Sequence, residues 1–221
     1  MPRRPALTHD RIIEAAVRVA DDGGLTQVSM RNVGKELGVE AMSLYHHVAN
    51  KDALLDGLAD WVFTQIELPG LQQPWRPAMT ERAASARQAL GQHPWALGLI
   101  ESRRAPGAAL LRHHDTMLGC LRHNGFSPAL AVHAFSAVDA YIYGFVLTEL
   151  SLPFDVSGGF EEFVDEVQPT LPRDTYPHLV ELITDHVQGQ GYSFGDEFEY
   201  GLGLILDSVE VRLADELAAG R

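Results

Sequence analysis

Residues 29–51 read Ser-Met-Arg-Asn-Val-Gly-Lys-Glu-Leu-Gly-Val-Glu-Ala-Met-Ser-Leu-Tyr-His-His-Val-Ala-Asn-Lys. Ser29 supplies a hydroxyl where a helix start needs an acceptor for its free N–H groups, and apolar Val33 and Leu37 follow four residues apart. Gly38 stands where a helix must turn away through positive φ. A second short helix is expected from about Glu40 to His47, with Leu44 and Val48 again four apart. Two short helices joined by a glycine turn can bury these pairs against each other and a third helix. That is the layout of a helix-turn-helix, although a plain helical hairpin with a mixed surface fits the same spacing. The outer side of the second helix would carry Ala41, Met42, Ser43, Tyr45, His46 and His47, with no acid after Glu40. Such a surface can enter a major groove without charge repulsion.

Outward from this segment the helical signals continue. Thr8 is an N-cap candidate for a helix ending near Asp22, with Ile12, Ala16, Val19 and Ala20 on one face. Asn50 caps another helix that carries Ala53, Leu54, Leu58 and Val62 toward Glu67. The proline-rich segment 68–77 reads as a loop, and the domain boundary is expected there or within the helix just before it, with the domains taken as 1–67 and 68–221. Further helices are expected over 78–92, 95–101, 107–123, 128–152, 159–167, 176–188 and 194–218. The expected fold is all-α: an N-terminal three-helix domain followed by a larger helical domain.

Composition narrows the class. The 221 residues are 46% hydrophobic, which suits a globular chain. The net charge of -13 taken alone argues against a nucleic-acid binder. Its distribution argues otherwise: residues 1–51 hold seven Lys/Arg and six Asp/Glu, leaving ten and twenty-four for the remainder. One end is near neutral and the body is strongly acidic. No apolar run is expected to reach the ~18–20 residues of a membrane span. The first ten residues carry two arginines but no apolar stretch behind them, so a secretory leader is not expected and the cytoplasm is the expected location.

Chemistry-bearing motifs are sparse. The single cysteine, Cys120, forms no internal disulfide. His46-His47 and His113-His114 are adjacent pairs, and neighbours on a helix diverge by about 100° rather than converging on one ion. With no His-Glu-x-x-His, Cys-x-x-Cys or Gly-x-Ser-x-Gly, neither a metal, a cofactor nor catalysis is expected.

Glu-Leu-Gly-Val-Glu at 36–40, Leu-Tyr-His-His-Val at 44–48 and Asn-Lys-Asp-Ala-Leu-Leu-Asp at 50–56 resemble the DNA-binding domain of the tetracycline-repressor (TetR) family. Asn-Gly-Phe-Ser at 124–127, Phe-Ser-Ala-Val-Asp at 135–139, Gly-Phe-Val-Leu at 144–147 and Phe-Glu-Tyr-Gly-Leu-Gly-Leu-Ile-Leu at 198–206 resemble the C-terminal half of its tetracycline-binding subgroup. The resemblance implies a homodimeric repressor, released from a near-palindromic duplex operator by a small-molecule effector. An activator, or a small-molecule binder that has lost DNA binding, would keep the same fold.

Carried onto this chain, the resemblance puts Ala41, Met42 and Ser43 at the base-facing start of the recognition helix. Tyr45 and His47 fall on phosphates or the groove wall, with Lys51 on a phosphate and Arg31 reaching a base or phosphate from the preceding helix; His46, on the same outer side, is a further DNA-binding candidate. The Arg3-Arg4 arm is a further candidate for the groove. Effector-lining candidates by position are Trp95, Glu101, Arg104, His114, Met117, Leu118, Phe135, Asp139 and Tyr143. The dimer interface would draw on Leu202, Ile205, Leu206 and Val209. Two departures stand out. Ala41-Met42 replace a polar amide and a proline of the tetracycline-binding members. Glu101 and Ala105 stand where those members place a magnesium-holding histidine and an arginine, with Pro106 matching a proline, so tetracycline itself is not expected as the ligand.

Overall fold

The computed structural model describes residues 6–103, 105–154, 160–167, 170–187 and 192–220. Every regular element among them is helical. In chain order the α-helices are α1 (His9–Gly23), α2 (Met30–Leu37), α3 (Ala41–Leu44), α4 (Lys51–Thr64), α5 (Trp75–Gln92), α6 (Ala96–Ser102), α7 (Ala108–His123), α8 (Pro128–Glu149), α9 (Phe160–Val167), α10 (Pro177–Leu182) and α11 (Glu197–Ala219). By internal contacts the chain falls into two compact units, residues 1–131 and 132–221.

The first helices start where side chains can satisfy their free N–H groups. Thr8, Ser29 and Asn50 accept from the backbone N–H of Arg11, Asn32 and Ala53 respectively. Gly38 closes α2 at φ 65°, ψ 35°, a left-handed conformation that costs glycine little. Ile12, Ile13, Ala16, Val17 and Ala20 of α1 pack with Val33 of α2, Leu44 of α3, Val48, and Leu54 and Leu58 of α4 to form the core of this end. The second helix of the motif is shorter than the expected 40–47. Regular α-helix covers only Ala41–Leu44, and the chain then closes tightly, with both His47 N–H and Val48 N–H donating to the Leu44 carbonyl.

Helix α5 corrects the expected loop over 68–77, because it begins at Trp75 rather than at 78. Pro77 falls in the first turn, where its missing N–H costs nothing. The free Trp75 N–H donates to Asn124 Oδ1 at 3.2 Å, a cap supplied from 49 residues away. Helix α7 is capped remotely as well: Asp60 Oδ1 on α4 accepts from Ala109 N–H at 2.8 Å and Leu110 N–H at 3.1 Å.

Helix α8 corrects the expectation about membrane spans. It is long and apolar enough to cross a bilayer by length and composition, at 22 residues and mean hydropathy 1.5. Its Leu130, Ala131, Ala134, Val138, Ile142 and Val146 recur at helical spacing and are buried in the protein interior. In the second unit, the Tyr141 hydroxyl on α8 lies 3.0 Å from Glu197 O and 3.1 Å from Phe198 O at the start of α11. Phe145 stacks on Phe194 and meets Phe198 edge-on. Helix α10 continues as one wide turn over Ile183–Val187, and α11 is preceded by a tight turn at Phe194–Asp196. Val164, Ile183 and Val187 form a small separate core with Phe160, Leu171 and Tyr192.

Candidate nucleic-acid interface and effector site

The motif's geometry follows from one close approach. A Cβ placed on Gly34 of α2 would lie 2.9 Å from the Val39 carbonyl oxygen and 3.2 Å from Ala41 N. The absence of a side chain at Gly34 therefore lets the start of α3 sit directly on α2. Leu44 and Val48 turn inward and are buried. The opposite side is left to solvent: Met42 is 73% exposed and Tyr45 46%, with His46, His47, Lys51 and Arg31 also exposed. Ala41 and Ser43 are half-buried at the edge of this surface. Nearby, Arg18 on α1 is neutralised by Glu36 at 2.7 Å, so the acid of α2 is turned toward α1. Arg3 and Arg4 lie outside the described residues.

The effector candidates fare unevenly. In the first unit Met117 is fully buried, while His114 and Leu118 are half-buried, all on α7. Glu101 is exposed near the end of α6, and Arg104 lies outside the described residues. Trp95 is buried, and its indole Nε1–H donates to Asp21 Oδ1 of α1 at 2.7 Å. In the second unit Phe135 is buried, and Asp139 and Tyr143 are half-buried on α8.

Sequence reasoning missed the most heavily buried polar pair of the first unit. Arg82 on α5 and His113 on α7 are 1% and 0% exposed, and Arg82 Nε donates to His113 Nε2 at 3.2 Å. Burial first, then the charges of Arg82 and His114, lower the His113 pKa from 6.5 to about 3. His113 is therefore neutral, with its proton on Nδ1 and a lone pair toward the guanidinium. The Phe63 ring of α4 lies 5.5 Å away, centroid to centroid. A signal was present: Arg82 sits in the apolar stripe Ala78, Met79, Ala83 and Ala86.

Where α4 meets the α6–α7 segment there is a cavity of about 170 Å³, lined by Asp56, Asp60, Phe63, Ile100, Arg103, Pro106 and their neighbours. It is smaller than the several hundred Å³ a drug-sized ligand fills. Its walls are tied together by the Arg103–Asp56 ion pair at 3.2 Å and by the Asp60 cap on α7. Among the described residues no group of three or more His, Cys, Asp or Glu is placed to hold a metal ion. Cys120 is buried, and burial pushes its thiol pKa up, away from the reactive thiolate.

On α11 the structure places Leu202, Leu206 and Val209 in the protomer's own interior, at 2%, 2% and 6% exposure, with Leu213 beside them. Ile205 is half-buried. The apolar side chains that the helix presents to solvent are Tyr200, Leu204, Val211 and Leu217.

Comparison with known proteins agrees with this arrangement. Residues 12–58 match the family model described as bacterial regulatory proteins, tetR family, and residues 68–213 match the tetracyclin repressor-like C-terminal domain. The chain is 33% identical to the HTH-type transcriptional repressor DrrR1 of Streptomyces coeruleorubidus, over 96% of this chain and 80% of that protein. It is 29% identical to the class A tetracycline repressor of Escherichia coli, over 93% and 92% of the two chains. The crystal structure of Streptomyces coelicolor ActR in complex with actinorhodin superposes with a TM-score of 0.75 at 27% identity, covering 95% of this chain and 99% of that one. The chain belongs to the TetR family of ligand-responsive, DNA-binding bacterial regulators.

Proposed function

We propose that the protein is a homodimeric repressor that leaves a near-palindromic operator when a small molecule occupies its sensor region. The observation that carries the reading is the surface of α3 and its flanks. Met42, Tyr45, His46, His47, Lys51 and Arg31 are all exposed, and the stretch from Ala41 to Lys51 contains no acid. Met42 meets a thymine methyl, Arg31 is the side chain suited to a bidentate contact with guanine, and Tyr45 and Lys51 hold the backbone. Ala41, Ser43, His46 and His47 complete the groove face. Residues 1–67 serve as the reading domain and 68–221 as the sensing and dimerising domain. DrrR1 is named a repressor, and ActR has been crystallised with actinorhodin, which supports the repressor sense and a small-molecule signal.

Within the first unit the effector contacts are assigned to His114, Met117 and Leu118 of α7; for α8 the family resemblance proposes Phe135, Asp139 and Tyr143. Effector binding favours a conformer whose two reading surfaces no longer match half-sites one helical turn apart, about 34–36 Å. The second copy covers the exposed apolar side of α11, at Tyr200, Leu204 and Val211. The interior positions Leu202, Leu206 and Val209 remain in the protomer core.

Selection from a random duplex pool with the full-length protein, at one stated salt concentration, tests this reading. Recovery of a near-palindrome is the expected result. Failure to enrich any sequence overturns it. A reporter behind the recovered site then separates repression from activation.

A further inference from the structure

Besides α4, the reading end of the first unit is tied to the α5–α6 junction through α1. Near the C-terminal end of α1, a single carboxylate oxygen, Asp21 Oδ1, accepts from two side chains of the α5–α6 junction. His93 Nδ1 lies 2.8 Å away and Trp95 Nε1 lies 2.7 Å away. These residues are separated from Asp21 by 72 and 74 positions in the chain. A carboxylate has no proton to give here, so His93 carries its proton on Nδ1 and donates. The imidazole is also packed edge-on against the Trp61 ring of α4, with centroids 5.0 Å apart. His93 therefore fills the angle between α1 and α4, touching both.

We propose that Asp21, His93 and Trp95 form a latch that fixes the orientation of the α1–α3 head against the sensor helices, and so sets the half-site spacing the dimer accepts. The inference rests on the DNA-binding reading above. Helix α1 packs on α2 and α4, so the three reading helices move with it. A head joined to its body only through α4 can pivot about that helix. A second attachment, close to one end of a helix about 22 Å long, removes the pivot. Trp95 makes the attachment directional, because a rigid indole has one N–H and can donate it along one line only. The latch also gives the sensor side a route to the head that does not pass along α4: displacing Trp95 breaks the Asp21 contact directly. Asp21 is thus a positioning residue: it is solvent-exposed, and its carboxylate acts on the head through α1 rather than through the Met42 and Tyr45 surface.

The test uses full-length protein and the duplex recovered by selection, together with versions in which one or two base pairs are inserted or deleted between the half-sites. Two inserted pairs rotate one half-site by about 70° around the duplex axis. Wild-type protein is expected to lose at least about tenfold in affinity on the altered spacings. Asp21→Ala and Trp95→Phe are expected to bind all spacings within about threefold of one another, while Asp21→Asn, which keeps an amide oxygen for the indole, recovers much of the discrimination. Thermal unfolding and sedimentation are run on each variant, and Trp95→Phe stands in should Asp21→Ala fold poorly. Folded latch variants that discriminate spacings as sharply as wild type overturn the latch and leave the DNA-binding reading intact. A wild-type protein that recovers no duplex overturns both.

Discussion

Arg82 on α5 donates its Nε–H to Nε2 of His113 on α7 across 3.2 Å, with both side chains buried. The contact requires a neutral imidazole, and burial together with the guanidinium keeps it so, with a pKa of about 3 against 6.5 for a free histidine. Between those values the unfolded chain binds a proton that the folded chain does not. The contribution of this site to stability is therefore complete above pH 6.5 and lost as pH falls from 6.5 toward 3. At pH 5 the loss is about 2 kcal/mol relative to pH 8. Urea unfolding at fixed protein concentration checks this by comparing wild type with His113→Gln, which keeps an acceptor for Arg82. The stability advantage of wild type over the variant should shrink by about 2 kcal/mol between pH 8 and pH 5. A constant difference would show that His113 is not the titrating group.

Gly34 makes a separate prediction at the reading end. A methyl group there meets the Val39 carbonyl and the Ala41 backbone, neither of which is a flexible side-chain tip. Gly34→Ala should push α3 away from α2 and cost about 1–3 kcal/mol of local overpacking. Because the strain is confined to the α2–α3 contact, operator affinity should fall by about tenfold or more while the helix content of the rest of the chain persists. Binding titrations alongside circular dichroism read the two effects separately.

How far these relationships could be seen in the sequence depends on how local they are. The caps at Thr8, Ser29 and Asn50 and the left-handed Gly38 each act within a few residues, and the structure has them where the pattern puts them. The start of α5 was hidden because its cap, Asn124, comes from just beyond the end of α7 and because Pro77 looks like a breaker when its place in the first turn is unknown. The Asp60 cap on α7 and the Asp21 contact with Trp95 span 49 and 74 residues, and no periodicity marks either. On α11 the apolar residues run along two stripes. Periodicity alone cannot tell the stripe that faces the protomer's own core from the one left exposed.

Lys51 and Tyr45 should separate charge from shape in DNA binding. Lys51 is exposed at the first residue of α4, and Tyr45 is an exposed neutral ring just after α3. Lys51→Ala removes about one phosphate neutralisation per protomer, so the slope of log affinity against log salt should flatten by about 0.9 for each head engaged. Tyr45→Ala should weaken binding to all sequences with the slope unchanged, since no charge is lost. Titrations at several salt concentrations distinguish the two. Wild-type slopes and affinities in both variants would mean that α3 and its flanks do not contact DNA.

The two stripes of α11 allow the dimer surface to be tested without confusing it with folding. Leu204 and Val211 are 58% and 62% exposed, whereas Leu206 is 2% exposed in the protomer. Placing a carboxylate at an exposed position costs the isolated protomer little, but it buries an unpaired charge if a second copy covers that side. Leu204→Glu or Val211→Glu should therefore shift the sedimenting species from dimer to monomer with the helix content preserved, and should reduce operator affinity in step with loss of the second head. Leu206→Ala should instead act as a core deletion, lowering stability by about 2–5 kcal/mol. Equilibrium sedimentation and thermal unfolding, measured on the same samples, assign each stripe. A Leu204→Glu protein that stays dimeric at micromolar concentration would place the partner on a different surface of the chain.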